Sequence, residues 1–304
     1  MVILETSRRR LAERVLRRAN YRSLIAMPTL TTDDGVKLYY EETGTGTPIV
    51  FVHEFAGDYR TWEPQVRHFS RRHRCVTYNA RGYPPSEVLT DFERYSQARA
   101  RDDILSVMDR LGIEKAHIVG NSMGGFAALH FGMAYSKRAL SLLVAGCGYG
   151  AHPDQYEKFQ AQAKELAKTM LDKGMPHLAA TYGHGPGRLQ LKQKDPRGFE
   201  EFVRQFGGHS AQGSANTMLG YQGRRPSLYA LKAEMGRVAA PLMILVGDSD
   251  DAALDASLMM KRHIPGAALA VMPACGHMTN LEEPALFNRL LEDFIHQAEC
   301  GRWS

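Results

Sequence analysis

Val119-Gly120-Asn121-Ser122-Met123-Gly124-Gly125 follows the apolar run Ala116–Val119 and leads straight into the helix-like stretch Met123–Tyr135. A serine held between two glycines at a strand-to-helix junction is a sharp elbow. The turn is tight enough to force the serine backbone into a strained conformation. Gly120 and Gly124 must then lack side chains where helix and strand approach each other. Such a turn exposes the Ser122 hydroxyl at the carboxyl end of its strand. The first amides of the helix, that of Met123 included, face any negative charge forming beside it.

A serine hydroxyl is a weak nucleophile at neutral pH, so it needs a base, and the base needs an acid to orient it. Both belong on loops after later strands, and two such loops are present. Leu242–Val246 runs into Gly247-Asp248-Ser249-Asp250-Asp251, and Ala268–Pro273 runs into Ala274-Cys275-Gly276-His277-Met278. His277 is the candidate base. Asp248, Asp250 and Asp251 are candidate acids, although each of these carboxylates could instead cap a helix or sit solvated on a loop.

Around this centre the chain alternates short apolar runs with helical patterns. Val36–Glu41 and Ile49–His53 read as strands joined by a turn at 44–48, followed by Cys75–Asn79, Ala116–Asn121, Leu140–Ala145, Leu242–Gly247 and Ala268–Met272. The later runs are apolar almost throughout, as strands buried on both faces are. Tyr95–Leu111, Met123–Tyr135, Ala252–His263 and Pro284–Gln297 carry helical spacing. The expected fold class is α/β, a mostly parallel doubly wound sheet. Residues 150–230 break the rhythm with helices at Asp154–Lys173 and Asp195–Phe206, glycine-rich joints and no strand pattern. They read as a helical lid or cap over the sheet edge. The expected division is a basic extension 1–26, a core of 27–149 and 231–304, and the insertion 150–230.

In combination these motifs resemble the α/β-hydrolase superfamily, from about Met27 to His296, with the order Ser, Asp, His along the chain. In that family the acid usually lies three residues after the glycine ending its strand, which implies Asp250. The run Gly276-His277 to Glu282-Glu283-Pro284 is similar to the family's histidine loop. The second oxyanion donor is implied on the loop His53-Glu54-Phe55-Ala56-Gly57, with Phe55 N–H joining that of Met123. Glu54 stands where relatives often carry glycine, so its side chain is expected to point away from the oxyanion or to be paired. Arg81, in Asn79-Ala80-Arg81-Gly82-Tyr83-Pro84-Pro85-Ser86, is expected to be buried by pairing and not to be catalytic.

The resemblance implies a carboxylic ester hydrolase working through an acyl-enzyme, with no cofactor and no metal, on a small or polymeric ester. Serine at the elbow argues against the dehalogenases and epoxide hydrolases of this fold, which use aspartate there. A carbon–carbon hydrolase of ring-cleavage products shares the Gly-Asn-Ser-Met-Gly-Gly elbow. Those enzymes tend, however, to place an aromatic residue after the histidine, where this chain has Met278, and to have a glycine-rich oxyanion loop. A cofactor-free haloperoxidase-like activity would use the same triad, and a ligand receptor could be built on the same scaffold.

Bulk properties exclude other classes. The 304 residues are 44% hydrophobic and 23% charged, ordinary for a globular chain. The net charge of +5 comes from seven arginines and two glutamates within residues 1–26, leaving the body neutral, so no nucleic-acid partner is expected. Leu11, Val15 and Ala19 permit a basic amphipathic helix there. No apolar run is long enough to span a bilayer. The four scattered cysteines form no C-x-x-C, and a reduced cytoplasmic setting is the expectation. The oligomeric state leaves no trace in the sequence.

Overall fold

The computed structural model describes residues 27–303. The basic segment 1–26 and its amphipathic spacing lie outside the described residues. Eight strands form one sheet: β1 Thr29–Thr31, β2 Lys37–Thr43, β3 Thr47–Val52, β4 His73–Tyr78, β5 Ala116–Asn121, β6 Ala139–Ala145, β7 Leu242–Gly247 and β8 Ala268–Met272. Their spatial order is β1-β2-β4-β3-β5-β6-β7-β8. β1 pairs antiparallel with β2 and β2 antiparallel with β4, and every later pairing is parallel.

The strands alternate their side chains between two cores. Val50, Val52, Ile118, Val144 and Ile244 pack on one face with Val107 and Phe126 from the helices Gln97–Arg110 and Met123–Tyr135. Ile49, Phe51, Val119, Leu143 and Leu245 pack on the other with Trp62, Phe69, Phe287 and Leu291. β5 and β7 are buried along their whole length, which is why they read as nearly continuous apolar runs.

The strands at 36–41 and 49–53 are joined by a turn as read, yet they are not neighbours in the sheet: β4 lies between β2 and β3. β3 is paired on both sides by parallel strands, so β2 must cross beyond β4 to find an open edge. The connecting Gly44 and Gly46 both have positive φ, and a Cβ on Gly44 would lie 2.3 Å from the carbonyl oxygens of Ser70 and His73.

Between β6 and β7 the described chain is helical, an insertion spanning the carboxyl edge of the sheet. Its first helix starts at Pro153 and ends at the expected Lys173, because Gly174 (φ 78°) is non-helical, and a second helical stretch carrying Pro176 follows to Thr181. Pro196–Gly207 starts on Asp195, whose side chain accepts from Gly198 N–H at 2.9 Å. It presents Phe199, Phe202 and Phe206 on one buried face. That face joins Met170, Leu178, Met218 and Tyr221 in a third core, which also takes in Phe55 and Met123 at the sheet edge. The insertion's aromatic residues therefore pack among themselves and against the two loops expected to hold an oxyanion.

Candidate active site

Because β3, β5, β7 and β8 run parallel, the loops that follow them emerge on one edge. Ser122 sits there with φ 51° and ψ −116°, a conformation that costs a non-glycine residue energy. Close packing enforces it. A Cβ on Gly120 would lie 2.2 Å from the Gly124 carbonyl oxygen, and one on Gly124 would lie 2.0 Å from that of Val52. The elbow helix thus begins directly against the end of β3, which brings the Met123 and Phe55 peptides to the same place.

His277 Nδ1 and Asp250 Oδ2 are 2.7 Å apart, with side chains 14% and 8% exposed, so water competes little for the bond. The histidine loop is fastened to the elbow. Asn121 Nδ2 donates to the His277 carbonyl at 3.4 Å. Ser122 N–H donates to Ala145 O at 2.8 Å, and a Cβ on the next residue, Gly146, would lie 3.4 Å from the imidazole. With Nδ1 engaged by Asp250, Nε2 is the nitrogen left free for a hydroxyl.

Of the three candidate acids, Asp250 is the one whose carboxylate meets the ring. Asp248 turns away and accepts from Ala274 N–H at 2.8 Å and Cys275 N–H at 3.0 Å. Those two bonds hold its carboxyl below the ordinary range. They also support Ala274, which with Ser122 makes the two non-glycine residues of positive φ among those described. Asp251 is exposed at the first position of the helix Asp251–His263.

Phe55 and Met123, whose amides were expected to face an oxyanion, are each held through their own carbonyl, one peptide beyond that amide. Tyr83 Oη donates to Phe55 O at 2.9 Å, and Tyr221 Oη donates to Met123 O at 2.6 Å. Neither the Phe55 nor the Met123 amide has a protein acceptor among the described residues. His53 braces the same loop: Nδ1 lies 2.7 Å from Glu54 O, and Nε2 accepts from Ala80 N–H at 3.0 Å. That network fixes the tautomer with its proton on Nδ1. Full burial pushes the His53 pKa down to about 4, so the ring stays neutral.

Glu54 is 3% exposed and paired, its Oε2 accepting from Arg188 Nη2 of the insertion at 2.6 Å. Arg81 is buried by pairing, with bonds to both oxygens of Asp103 and of Asp34. Glu282, inside the histidine pattern, accepts from Gly276 N–H and, at 2.9 Å, from Met278 N–H, so it straps the peptides flanking His277. Tyr83 and Glu282 lie within motifs that were legible. Arg188 and Tyr221 come from the insertion: Arg188 carried no signal, and Tyr221 read only as one of its wall or core aromatics, with no role at the elbow.

A profile of the alpha/beta hydrolase fold family matches residues 47–284. The chain is 27% identical over 248 residues to 3-oxoadipate enol-lactonase 1 of Acinetobacter baylyi, covering 81% of this chain and 88% of that one. It is 27% identical over 276 residues to a 2-hydroxy-6-oxononadienedioate/2-hydroxy-6-oxononatrienedioate hydrolase of Comamonas testosteroni, covering 85% and 91%. Among solved structures, a thermophilic esterase from Thermogutta terrifontis superposes with a TM-score of 0.78 at 22% identity, covering 89% of this chain and 98% of that one. With three quarters of its length matched by the family profile, the chain belongs to the alpha/beta hydrolase fold family.

Proposed function

We propose that the protein is a serine hydrolase that cleaves carboxylic esters, cyclic esters included, through an acyl-enzyme on Ser122. The observation carrying this reading is the 2.7 Å contact of His277 Nδ1 with Asp250, on a loop tied to the residue preceding Ser122.

Ser122 Oγ attacks the carbonyl carbon while His277 Nε2 takes its proton, and Asp250 steadies the imidazolium without accepting the proton itself. The oxyanion forms against the Phe55 and Met123 amides at the start of a 13-residue helix, where the helix dipole adds to the stabilisation. The imidazolium then gives its proton to the leaving alcohol. Water, deprotonated by the same histidine, attacks the acyl carbonyl and frees the acid. The enol-lactonase among the relatives acts on a cyclic ester by its name, which supports this class.

A second reading, hydrolysis of a carbon–carbon bond in a ring-cleavage product, is favoured by the dienedioate hydrolase among the relatives. Short and medium acyl esters, a lactone and a vinylogous diketone acid should be offered to the parent and to Ser122→Ala. Ester or lactone turnover, reduced about 10⁶-fold in the variant, is expected. Turnover of the diketone alone would establish the second reading. Ligand binding with no turnover of any of them would point to a receptor.

A further inference from the structure

Glu54 presents a difficulty that the fold answers from the insertion. A carboxylate one residue from an oxyanion donor opposes the charge that must form there. For any like charge about 6 Å away at an effective dielectric near 20, such repulsion corresponds to roughly a 10²-fold loss of rate. A buried ion pair is a poor source of stability, and burial sets its cost against its attraction. Glu54 and Arg188 are 3% and 4% exposed, and they share a single bond of 2.6 Å. Glu54 Oε1 and Arg188 Nε have no partner among the described residues.

The location of Arg188 is specific. It ends the short turn Pro186–Arg188, directly after Gly187, whose carbonyl accepts from His277 N–H at 3.3 Å. A Cβ on Gly187 would lie 3.2 Å from that of His277. This one turn of the insertion therefore touches the histidine loop with its backbone and the oxyanion loop with its side chain. The guanidinium stays charged: burial opposes its charge, but Glu54, Tyr182, Asp250 and Glu282 outweigh burial.

We propose that Arg188 is a positioning residue that neutralises Glu54, so that the oxyanion hole is electrostatically complete only while the turn 186–188 is seated against the two loops. This rests on the reading of Ser122 as nucleophile. The other titratable groups around the pair are His53 and Asp58 on the Glu54 loop, Tyr83 after β4, Tyr182 and His209 from the insertion, and Asp250 and Glu282 toward His277. None of them supplies a second cation bonded to Glu54.

The test uses the full-length protein and a fluorophosphonate probe. Ser122 Oγ attacks its phosphorus as His277 takes the proton, charge develops on the phosphoryl oxygen in the same hole, and fluoride leaves. Labelling rates are followed by intact mass across pH 6 to 9 (a range set by the experiment, about three units). Arg188→Met is expected to label about 10²-fold more slowly than the parent at the alkaline end. Its deficit should shrink toward the acid end, because an uncompensated buried carboxylate titrates upward and becomes neutral. Glu54→Gln should lose less than about tenfold, and the double variant Glu54→Gln/Arg188→Met should return to within about tenfold of the parent. Arg188→Lys keeps the charge and should follow the parent's pH dependence. Should Arg188→Met fail to fold while the double variant folds, charge compensation is again supported. A double variant as slow as Arg188→Met, or a deficit independent of pH, would overturn the proposal alone. A parent that does not label at Ser122 would overturn the nucleophile reading and this proposal with it.

Discussion

Tyr221 Oη donates to the carbonyl oxygen of Met123 at 2.6 Å, so a residue of the insertion holds the residue that follows the elbow serine. Tyr83 does the same for Phe55 from the turn after β4. A carbonyl held in this way fixes its own peptide plane and limits rotation of the residue whose amide lies one peptide earlier. The two loops proposed to hold an oxyanion are thus braced both from the sheet edge and from the insertion.

Removing either hydroxyl should loosen one donor without touching the triad. Tyr221→Phe and Tyr83→Phe are each expected to lower kcat about tenfold, less than loss of a whole donor, with KM changing little. Each should also cost about 1 kcal/mol in a urea melt, because a buried hydrogen bond is lost. An unchanged kcat in both variants would mean the two peptides are held by other contacts.

Asp250 should behave as the orienting acid and its neighbours should not. Asp250→Asn keeps the shape but favours the wrong imidazole tautomer, so kcat should fall about 10⁴-fold with little change in stability. Asp251→Asn should stay within about threefold, being a solvated helix-start residue. Steady-state ester kinetics on the pair would decide the matter; equal losses would contradict the assignment.

The elbow glycines should be intolerant for a steric reason and not for flexibility. Gly124→Ala drives a Cβ to 2.0 Å from the Val52 carbonyl oxygen, whereas Gly35, with φ +86°, has nothing within 4 Å of a built Cβ. Gly35→Ala is expected to cost about 1–2 kcal/mol of backbone strain. Gly124→Ala should cost about 3 kcal/mol or more, or abolish soluble expression. Thermal melts of both proteins provide the comparison, and equal losses would refute it.

Buried neutral histidines should make stability fall on the acid side. Burial lowers His53, His117 and His130 from 6.5 to about 4 in the folded protein. Below 6.5 the unfolded chain takes up protons that the folded chain refuses, so stability is full above that pH and is lost as pH falls toward 4. Three such groups set an upper limit near 4 kcal/mol per pH unit. His53→Asn should remove about one third of the slope. Urea titrations at a series of pH values measure it, and a flat profile through this window would show that the histidines are not buried neutral.

The core of the fold could be read because each signal was local. Ser122 with its flanking glycines, and the loops after Leu242–Gly247 and Ala268–Met272, each declare a turn at the end of an apolar run. The helix Met123–Tyr135 was legible to the residue for the same reason. Strand order was not legible, because nothing in Gly44–Pro48 says that β4 will come between the strands it links. The site's supports were harder still. Arg188 and Tyr221 lie 134 and 98 residues from the groups they bond, and a long-range contact leaves no periodicity to detect. Asp250 was separable from Asp248 only through the family pattern, since both are aspartates on one loop. Their different partners, a histidine ring and two backbone amides, exist only in three dimensions.

The most direct measurement is to quench turnover of an activated ester in acid and map the trapped acyl group by peptide mass. One acyl group on the peptide carrying Ser122 in the parent, and none in Ser122→Ala, is the predicted result. An acyl group on a different residue, or turnover that persists in Ser122→Ala, would contradict the account.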